Sequence, residues 1–429
     1  MACGAWRRAA AWLCLVALGA GAAAGPARAA GPDAPAEIAL TAVEAQDRGG
    51  DAVLTLTLSD AAPFTFFLLD APRRLVVDYA SRSGAGPARA PVLPPPFGVP
   101  RHGLFRPDRA RLVVPLDRPL GVLRAVPTTA PGIEITLAPV SVEAFAARAG
   151  WPAGARWADG GAAPPPAAAG ETRPLVVIDP GHGGPDPGAM AEGVMEKDVV
   201  LAFARRLARR IEASGAARAV LTRDRDVFLP LGERVRIAQR ARAQVFVSIH
   251  ADIVLEGAAA GVSVYTLAPE ASDAAAADLA ERENRADVLA GAEAEGMSDD
   301  VARVLIELAQ RGSMAEAERL AAATLASLRD DVELLRTRPH RRADFRVLKA
   351  PEIPSVLIEL GFLTSPADRA RIVTPAWQEV AAEGVAQGIL HWAREAGPAW
   401  RTPHAAAPPD RAARALRTGS DTPDAARLP

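Results

Sequence analysis

Short apolar runs separated by turn residues fill residues 33–145. Each run is rich in β-forming side chains and is bounded by glycine, proline, aspartate or serine, as is typical of strands in an antiparallel sheet. The runs cover residues 38–43, 52–58, 64–69, 74–79, 110–116, 121–126 and 132–137. No long amphipathic helical pattern interrupts them, and residues 91–100 form a proline-rich break. The pattern predicts a small N-terminal β-sandwich.

From residue 174 to residue 396 the apolar pattern alternates between the strand period and the helix period. Buried-strand patterns occur at 174–179, 219–222, 245–249, 262–265 and 354–359. Apolar residues recur every three or four positions, as in a helix, at 196–214, 231–243 and 376–393. This alternation predicts an α/β domain with a parallel or mixed sheet flanked by helices on both faces.

A helical pattern replaces the alternation over residues 268–338. One helix is predicted over 271–289 and a second over 299–335, the second with a break at Gly312-Ser313. A compact core does not need so long an excursion between two strands. The segment is therefore predicted to be a lid or regulatory insertion.

The first residues of the chain, 1–29, have the pattern of an export signal. Arg7 and Arg8 precede an apolar stretch, and residues 27–29 fit a small-residue cleavage site. The arginine pair fits twin-arginine export as well as the general export route. The apolar stretch is too short and too rich in alanine and glycine for a membrane span, so no stable membrane anchor is expected.

Composition predicts the character of the remaining segments and argues against some classes of function. Residues 146–173, rich in Ala, Gly and Pro, are predicted to be a linker, and the polar tail 397–429 is predicted to be disordered. The formal charge of −2 and the aromatic content of 5% argue against nucleic-acid binding. Cys3 and Cys14 both lie in the export signal, so the exported protein is expected to have no disulfide.

Four polar residues lie at strand ends or at a helix start of the α/β region. His182 follows the first strand, His250 ends a later one, and Glu359 ends the last. Glu196 opens the first helix. The carboxyl ends of strands in an open α/β sheet meet at one crevice, so these side chains can converge. Two histidines and a glutamate suit a catalytic Zn²⁺ with one position left for water. Glu359 is then the candidate general base.

Other interpretations of these motifs fit less well. The glycine-rich segment 181–188 has Asp186 where a G-x-G-x-x-G loop needs its last glycine. Ser248 and Ser355 lie inside strand runs and no G-x-S-x-G elbow is present. The H-E-x-x-H motif of many zinc endopeptidases is absent as well. The residues alone leave open that the histidines are plain hydrogen-bonding groups at strand ends.

The motifs resemble those of the zinc-dependent N-acetylmuramoyl-L-alanine amidases, in particular their periplasmic cell-division branch. The matching stretches are 176–184, 196–197, 221–226, 247–252 and 353–362. The resemblance implies that His182, Glu196 and His250 hold one Zn²⁺ per chain and that Glu359 is the catalytic glutamate. It also implies a periplasmic enzyme that cleaves peptidoglycan between N-acetylmuramic acid and L-alanine, for cell-wall remodelling and daughter-cell separation.

The resemblance also gives expectations for the other segments. Residues 33–145 are similar to the AMIN module of this branch, which implies targeting to peptidoglycan; a spacer or folding aid is the alternative. The stretch 281–287 resembles the helix that occludes zinc in division amidases, with Glu283 as the matching ligand. Without the resemblance, Glu283 would be interpreted as an exposed helix residue. Activators of the family are LytM-type periplasmic proteins, so such a partner is implied.

Two further points stay open at this stage. His340 falls near a stretch that abuts the active site in relatives, which makes it a candidate substrate-binding residue or, alternatively, an exposed loop histidine. The competing functional class is a non-catalytic wall-binding protein that uses the same fold. Loss of Glu359 or of a zinc ligand would mark that class, and none of these residues is lost.

Overall fold

The computed structural model describes residues 36–87, 89–150, 171–253, 260–290 and 300–397. The export signal, most of the proposed linker and residues 398–429 of the tail lie outside the described residues, so those predictions stay predictions. None of the helices in the described ranges combines the length and the apolar character needed to cross a membrane.

The N-terminal module is a sandwich of two antiparallel four-stranded sheets, ordered β1-β2-β8-β7 and β3-β4-β6-β5. Its strands are β1 (Leu40–Arg48), β2 (Asp51–Leu58), β3 (Phe64–Leu69), β4 (Arg74–Ala80), β5 (Arg101–Arg106), β6 (Arg109–Pro115), β7 (Leu120–Pro127) and β8 (Gly132–Pro139). Apolar residues from both sheets, among them Leu54, Val77 and Ile135, form one buried core between them. The predicted β-sandwich is therefore confirmed.

Two elements of this module differ from the sequence pattern. Strand β5 is not predicted, because its segment Arg-His-Gly-Leu-Phe-Arg lacks a run of β-forming residues. Helix α1 (Val142–Arg148) is not predicted either; Ser141 caps its N-terminus and Phe145 is buried in the module core. Because α1 extends to Arg148, the predicted linker start at residue 146 is wrong.

The α/β domain is built on a six-stranded sheet of order β12-β9-β13-β16-β14-β15. All neighbouring pairs are parallel except β14 with β16, so the sheet is mixed, as predicted. The strands of the domain are β9 (Leu175–Pro180), β10 (Met190–Ala191), β11 (Val194–Met195), β12 (Arg218–Leu221), β13 (Val245–His250), β14 (Ser263–Leu267), β15 (His340–Ala343) and β16 (Ser355–Glu359). Strands β10 and β11 form a separate small hairpin.

Helices cover both faces of this sheet. They are α2 (Glu196–Ala213), α3 (Leu231–Arg240), α4 (Ala274–Asn284), α5 (Ala286–Leu289), α6 (Asp300–Leu328), α7 (Pro366–Ile372) and α8 (Pro375–Ala396). Phe203 of α2 and Val385 of α8 belong to the core on one face, whereas Val235 of α3 and Leu279 of α4 belong to the core on the other. The expected α/β class with flanking helices is confirmed.

Helix α6 corrects two expectations for residues 268–338. The predicted break at Gly312-Ser313 is wrong, because α6 is continuous from Asp300 to Leu328. A glycine within a helix costs only about 1 kcal/mol relative to alanine. The C-terminal half of α6 also packs in the sheet core: Leu320 and Leu328 are fully buried there. Residues 268–338 are therefore not an insertion over their whole length, because the C-terminal half of α6 is part of the domain core.

Candidate functional site

Three adjacent parallel strands bring the candidate residues to one edge of the sheet. Strand β13 lies between β9 and β16. His250 ends β13 and is paired with Glu359, which ends β16. His182 follows the end of β9, and Glu196 is the first residue of α2. All three are interior strands in which every residue is buried, so the site lies at the most completely buried part of the sheet.

Four side chains meet at this edge, and we refer to His182, Glu196, His250 and Glu283 as the cluster. Oε1 of Glu196 lies 3.1 Å from Nε2 of His182 and 3.3 Å from Nδ1 of His250. Oε2 of Glu283 lies 3.6 Å and 3.1 Å from the same two nitrogens. All four residues are at most 8% exposed. The structure thus places Glu283 inside the site and not on a solvated helix face.

Each histidine of the cluster has one nitrogen held by a hydrogen bond and one without a partner. Nδ1 of His182 lies 2.9 Å from Oδ2 of Asp186, and Nε2 of His250 lies 3.2 Å from Oγ of Ser248. The Ser248 hydroxyl itself donates to Asp179, so it accepts from His250. The remaining nitrogens are buried without a hydrogen-bond partner among the described residues. When the rings are neutral, these partners fix tautomers in which the other nitrogen of each ring carries no proton and faces the cluster.

The Glu196 carboxylate is fixed by the backbone. Its Oε1 accepts from the amide of Ala251 and its Oε2 from the amide of Ala189, each at 2.8 Å. Gly188 adjoins it with φ +66°, and a Cβ there would lie 2.6 Å from Oε2 of Glu196. Only glycine permits both this backbone conformation and this close approach. The carboxylate is therefore held in one orientation toward the histidines.

The electrostatics of the cluster favour a cation. Burial opposes charge on the His182 ring, but the surrounding carboxylates outweigh it and raise the pKa of His182 well above its usual value. For His250, burial likewise lowers the pKa, while Glu283 and Glu196 raise it to a net value of about 10. The rings thus take up protons to balance the carboxylates. A divalent cation would replace those protons.

The donor set fits Zn²⁺. Ligand atoms of His182, His250 and Glu283 lie within 4.8 Å of one another, and Glu196 adds a second carboxylate beside both rings. Two imidazole nitrogens with free lone pairs and carboxylate oxygens are ordinary zinc ligands. Within the described residues, Nε2 of His182 and Nδ1 of His250 are buried and make no hydrogen bond. A metal would explain this, since buried polar atoms otherwise find a hydrogen-bond partner.

Glu359 lies beside the cluster with one oxygen unused. Its Oε2 accepts from the amide of Asp252 at 3.1 Å, whereas its Oε1 is buried without a hydrogen-bond partner among the described residues. Burial raises the pKa of the Glu359 carboxyl well above its ordinary value, and the charge of His250 only partly opposes this shift. A carboxyl that is held at one oxygen and free at the other is suited to accept and release a proton.

Helices α4 and α5, residues 274–289, carry Glu283 over the site, and we call them the lid. Arg282 pairs with Asp252 at 2.6 Å, next to Glu359. Oδ1 of Asp287 accepts from the amide of Leu231 at the start of α3, at 2.9 Å. Asn284 exchanges hydrogen bonds with the backbone of residues 344 and 346. The lid is therefore docked along its length and not only through Glu283.

The structure does not bring His340 to the cluster. Its Nε2 lies 3.1 Å from Oγ1 of Thr266 and 3.6 Å from Glu318 of α6. In the sheet register His340 pairs with Val264, whose side chain lies in the core on the α6 face. Its polar contacts within the described residues thus lie on the α6 side of the sheet. Substrate binding by His340 stays a prediction that these contacts do not favour.

Sequence reasoning missed the residues that orient the histidines. Asp186 holds His182, and Ser248 with Asp179 holds His250. A signal was available for Asp186, because a carboxylate four positions after a candidate ligand can hydrogen-bond to its second ring nitrogen. Ser248 lies two positions before His250 on the same strand, and side chains two apart share a face.

A mixed sheet with a buried His₂Glu₂ cluster at the carboxyl edge of its central strands defines an α/β protein with a candidate metal centre. The family model described as N-acetylmuramoyl-L-alanine amidase matches residues 176–391, about half of the chain and nearly all of the α/β domain. The chain belongs to this family.

Several relatives match the same half of the chain. AmiA of Escherichia coli (strain K12) is 41% identical over 223 residues, which are 51% of this chain and 76% of AmiA. AmiC of Escherichia coli O6:H1 (strain CFT073) is 38% identical over 229 residues, which are 53% of this chain and 54% of that protein. The match thus spans about half the length of this AmiC. Both relatives are named N-acetylmuramoyl-L-alanine amidases.

Solved structures match over the same region. The amidase AmiC2 of Nostoc punctiforme is 32% identical, with a TM-score of 0.38, and the match covers 52% of this chain and 97% of that chain. An N-acetylmuramoyl-L-alanine amidase from Clostridium difficile 630 is 26% identical, with a TM-score of 0.37, and covers 53% of this chain and 100% of that chain.

Proposed function

We propose that this protein hydrolyses the amide between N-acetylmuramic acid and the L-alanine of the stem peptide in peptidoglycan. One Zn²⁺ per chain, held by His182, Glu196 and His250, would be its cofactor. The observation that carries the proposal is the pair of buried ring nitrogens that make no hydrogen bond within the described part of the chain and that both face Oε1 of Glu196. Membership of the amidase family and the names of the relatives support the choice of bond.

Bound at this position, Zn²⁺ would polarise a carbonyl and lower the pKa of a water molecule toward about 7. The protein supplies the proton transfers. Oε1 of Glu359 is free to take a proton from the attacking water and to deliver it to the leaving L-alanine nitrogen. The amide of Asp252 holds the other oxygen and keeps the carboxyl aimed during both transfers. The raised pKa of Glu359 favours retention of the proton between the two transfers.

The proposal includes autoinhibition by the lid. Glu283 is 5% exposed and its Oε2 lies 3.1 Å from Nδ1 of His250, so it would supply a further protein ligand to the metal. A zinc site that is closed by protein ligands has no position for water. The closed arrangement is then one state of a two-state element that a partner can shift by binding the open state better.

The sequence motivates the cellular setting that we propose. The export signal motivates a periplasmic location, and the N-terminal module motivates targeting of the enzyme to peptidoglycan, as an AMIN module would do. Wall remodelling and daughter-cell separation are the process in which we place the enzyme. A LytM-type periplasmic protein is the activator that the resemblance implies.

The proposed reaction is tested on purified sacculi. The protein used is activated by loss of the lid carboxylate, Glu283. New N-terminal L-alanine on released peptides is expected, together with about one zinc per chain by metal analysis. Removal of zinc by a chelator should abolish release, and added Zn²⁺ should restore it. Natively purified protein without zinc would contradict the metal site. Release of other termini would contradict the choice of bond.

Asp186→Asn is expected to weaken zinc binding by about 10- to 100-fold, as is typical when a partner of a metal-bound histidine is lost. The reason is that Nδ1 of His182 would lose its carboxylate acceptor, which fixes the tautomer with a bare Nε2. The measurement is competition for zinc against a chelator of known affinity. Asp198→Asn, at an exposed position of α2, is the matched control and should bind zinc like the unmodified protein. Equal affinity in Asp186→Asn would show that the contact is dispensable.

A further inference from the structure

Strand β5 of the N-terminal module lies against the loop that carries His182 and against the segment at residues 227–228. The backbone oxygen of Leu104 accepts from the amide of Phe228 at 2.9 Å, and Leu104 forms an isolated bridge with Val227. A Cβ at Gly103 would lie 2.1 Å from the carbonyl carbon of Gly184. The two backbones therefore approach as closely as only glycine allows. This contact is two residues from His182.

The same strand also touches the end of the lid. Phe105 stacks on Phe228 with ring centroids 6.0 Å apart, and Ala290, directly after α5, completes this apolar group. All three residues are fully buried. On the neighbouring part of the module, the Arg74 guanidinium donates to the backbone oxygen of Val288 within α5. The end of the lid is thus held by side chains from a different domain.

The contact that β5 makes with the α/β domain is limited in extent. Beside it, an open pocket of about 590 Å³ lies between the module and the α/β domain, lined by Pro100 and His102 on one side and by Pro185 and Met195 on the other. A continuous hydrophobic core between the two domains would leave no space of this size. Docking through a few contacts next to an open pocket is compatible with reversible separation of the domains.

We propose that the N-terminal module has a second function: it clamps the lid in the closed position. Movement of residues 286–290 away from the site separates Ala290 from Phe105 and breaks the bond from Arg74 to Val288. The docked module therefore raises the free energy of the open lid. The coupling is reciprocal, so opening of the lid also weakens docking of the module. The clamp rests on the lid of the proposed function.

Gly103→Ala tests the clamp in the full-length protein. The added methyl group would collide with backbone atoms of Gly184, whereas within β5 itself a Cβ is sterically ordinary, since the φ of Gly103 is not in the left-handed region. We expect about tenfold higher basal activity on purified sacculi, within the range of ~5- to 150-fold typical of coupled sites. Amides of residues 274–290 should exchange with deuterium faster, and zinc content should be unchanged. The matched control is Gly150→Ala, whose Cβ would meet nothing within 4 Å.

A second variant tests the clamp by a change next to the lid instead of in the module. Ala290→Glu places a charge against Phe105 and Phe228 without altering the module, and it should reproduce the faster lid exchange. In a protein that already carries Glu283→Ala, Gly103→Ala should add little activity, because both changes relieve the same block. Lid exchange and basal activity at the unmodified level in Gly103→Ala and Ala290→Glu would overturn the clamp.

The exchange measurement separates the clamp from the proposed reaction. Faster lid exchange in a protein that cleaves no amide supports the clamp and contradicts the amidase assignment. Amide cleavage that is unaffected by either variant, with unchanged exchange, rejects the clamp and leaves the amidase assignment intact.

Discussion

Glu359→Gln is expected to lower amide hydrolysis by about 10²- to 10⁴-fold, the range typical of general acid–base catalysis. Glutamine keeps the size of the side chain and can still accept from the amide of Asp252, but it cannot take up and return a proton at the position of Oε1. Zinc content should be unchanged, because Glu359 is not among the residues that would hold the metal. The measurement is the rate of L-alanine peptide release from sacculi, in protein activated by loss of the lid carboxylate.

Glu352→Gln provides the matched control for this prediction. Glu352 lies shortly before β16 and is only partly buried, so its substitution should leave the rate unchanged. A Glu359→Gln protein that retains zinc and full activity would place the general base elsewhere. Loss of both zinc and activity would show instead that the carboxylate supports the metal site.

Glu283→Ala is expected to raise the basal activity of the full-length protein strongly. If the closed lid outnumbers the open lid by about 99:1, removal of the block can raise the rate by up to about 100-fold, and a partner would need about 5.5 kcal/mol of differential binding to invert that ratio. The physical reason is that Oε2 of Glu283 lies 3.1 Å from Nδ1 of His250 and competes for the metal. Rates on sacculi are compared without any partner protein.

Glu281→Ala, on the same helix, is the control for Glu283→Ala. The Glu281 side chain is 62% exposed and pairs with Arg285, so its loss should not change basal activity. Full-length protein that is already as active as Glu283→Ala would contradict autoinhibition. If deletion of residues 271–289 activates the enzyme but Glu283→Ala does not, the lid blocks the site by bulk and the carboxylate has no inhibitory role.

The elements that the sequence predicts well are the central ones. Strands β9, β13 and β16 are buried on both faces, so each consists mainly of apolar residues and is followed by, or ends in, a polar candidate residue. Strands β5 and β15 lie at sheet edges and are rich in arginine and histidine. Charged residues are tolerated at edges because one side of an edge strand is unpaired. The charged residues in β5 and β15 interrupt the pattern of apolar and polar positions on which strand prediction depends.

The residues of the candidate site also differ in how well the sequence predicts them. His182, His250 and Glu359 could be proposed from their positions at strand ends, because strand ends converge in any open α/β sheet. Glu283 could be proposed only through the resemblance, since its sequence neighbours are polar and nothing local indicates burial. The contacts of Phe105 with Phe228 and of Arg74 with Val288 join segments far apart in the chain. No local pattern encodes such pairings.

Under the proposed autoinhibition, helix α6 has a consequence for how long the protein would stay active. The lid is tethered on both sides, by strand β14 before it and by α6 after it, and the C-terminal half of α6 is fixed in the core. A displaced lid therefore remains at a high effective concentration near the site, because it stays covalently connected on both sides. Recapture of the lid then does not depend on its diffusion from solution. If the proposed autoinhibition holds, an activator would have to stay bound for as long as hydrolysis continues, and cleavage should stop soon after it dissociates.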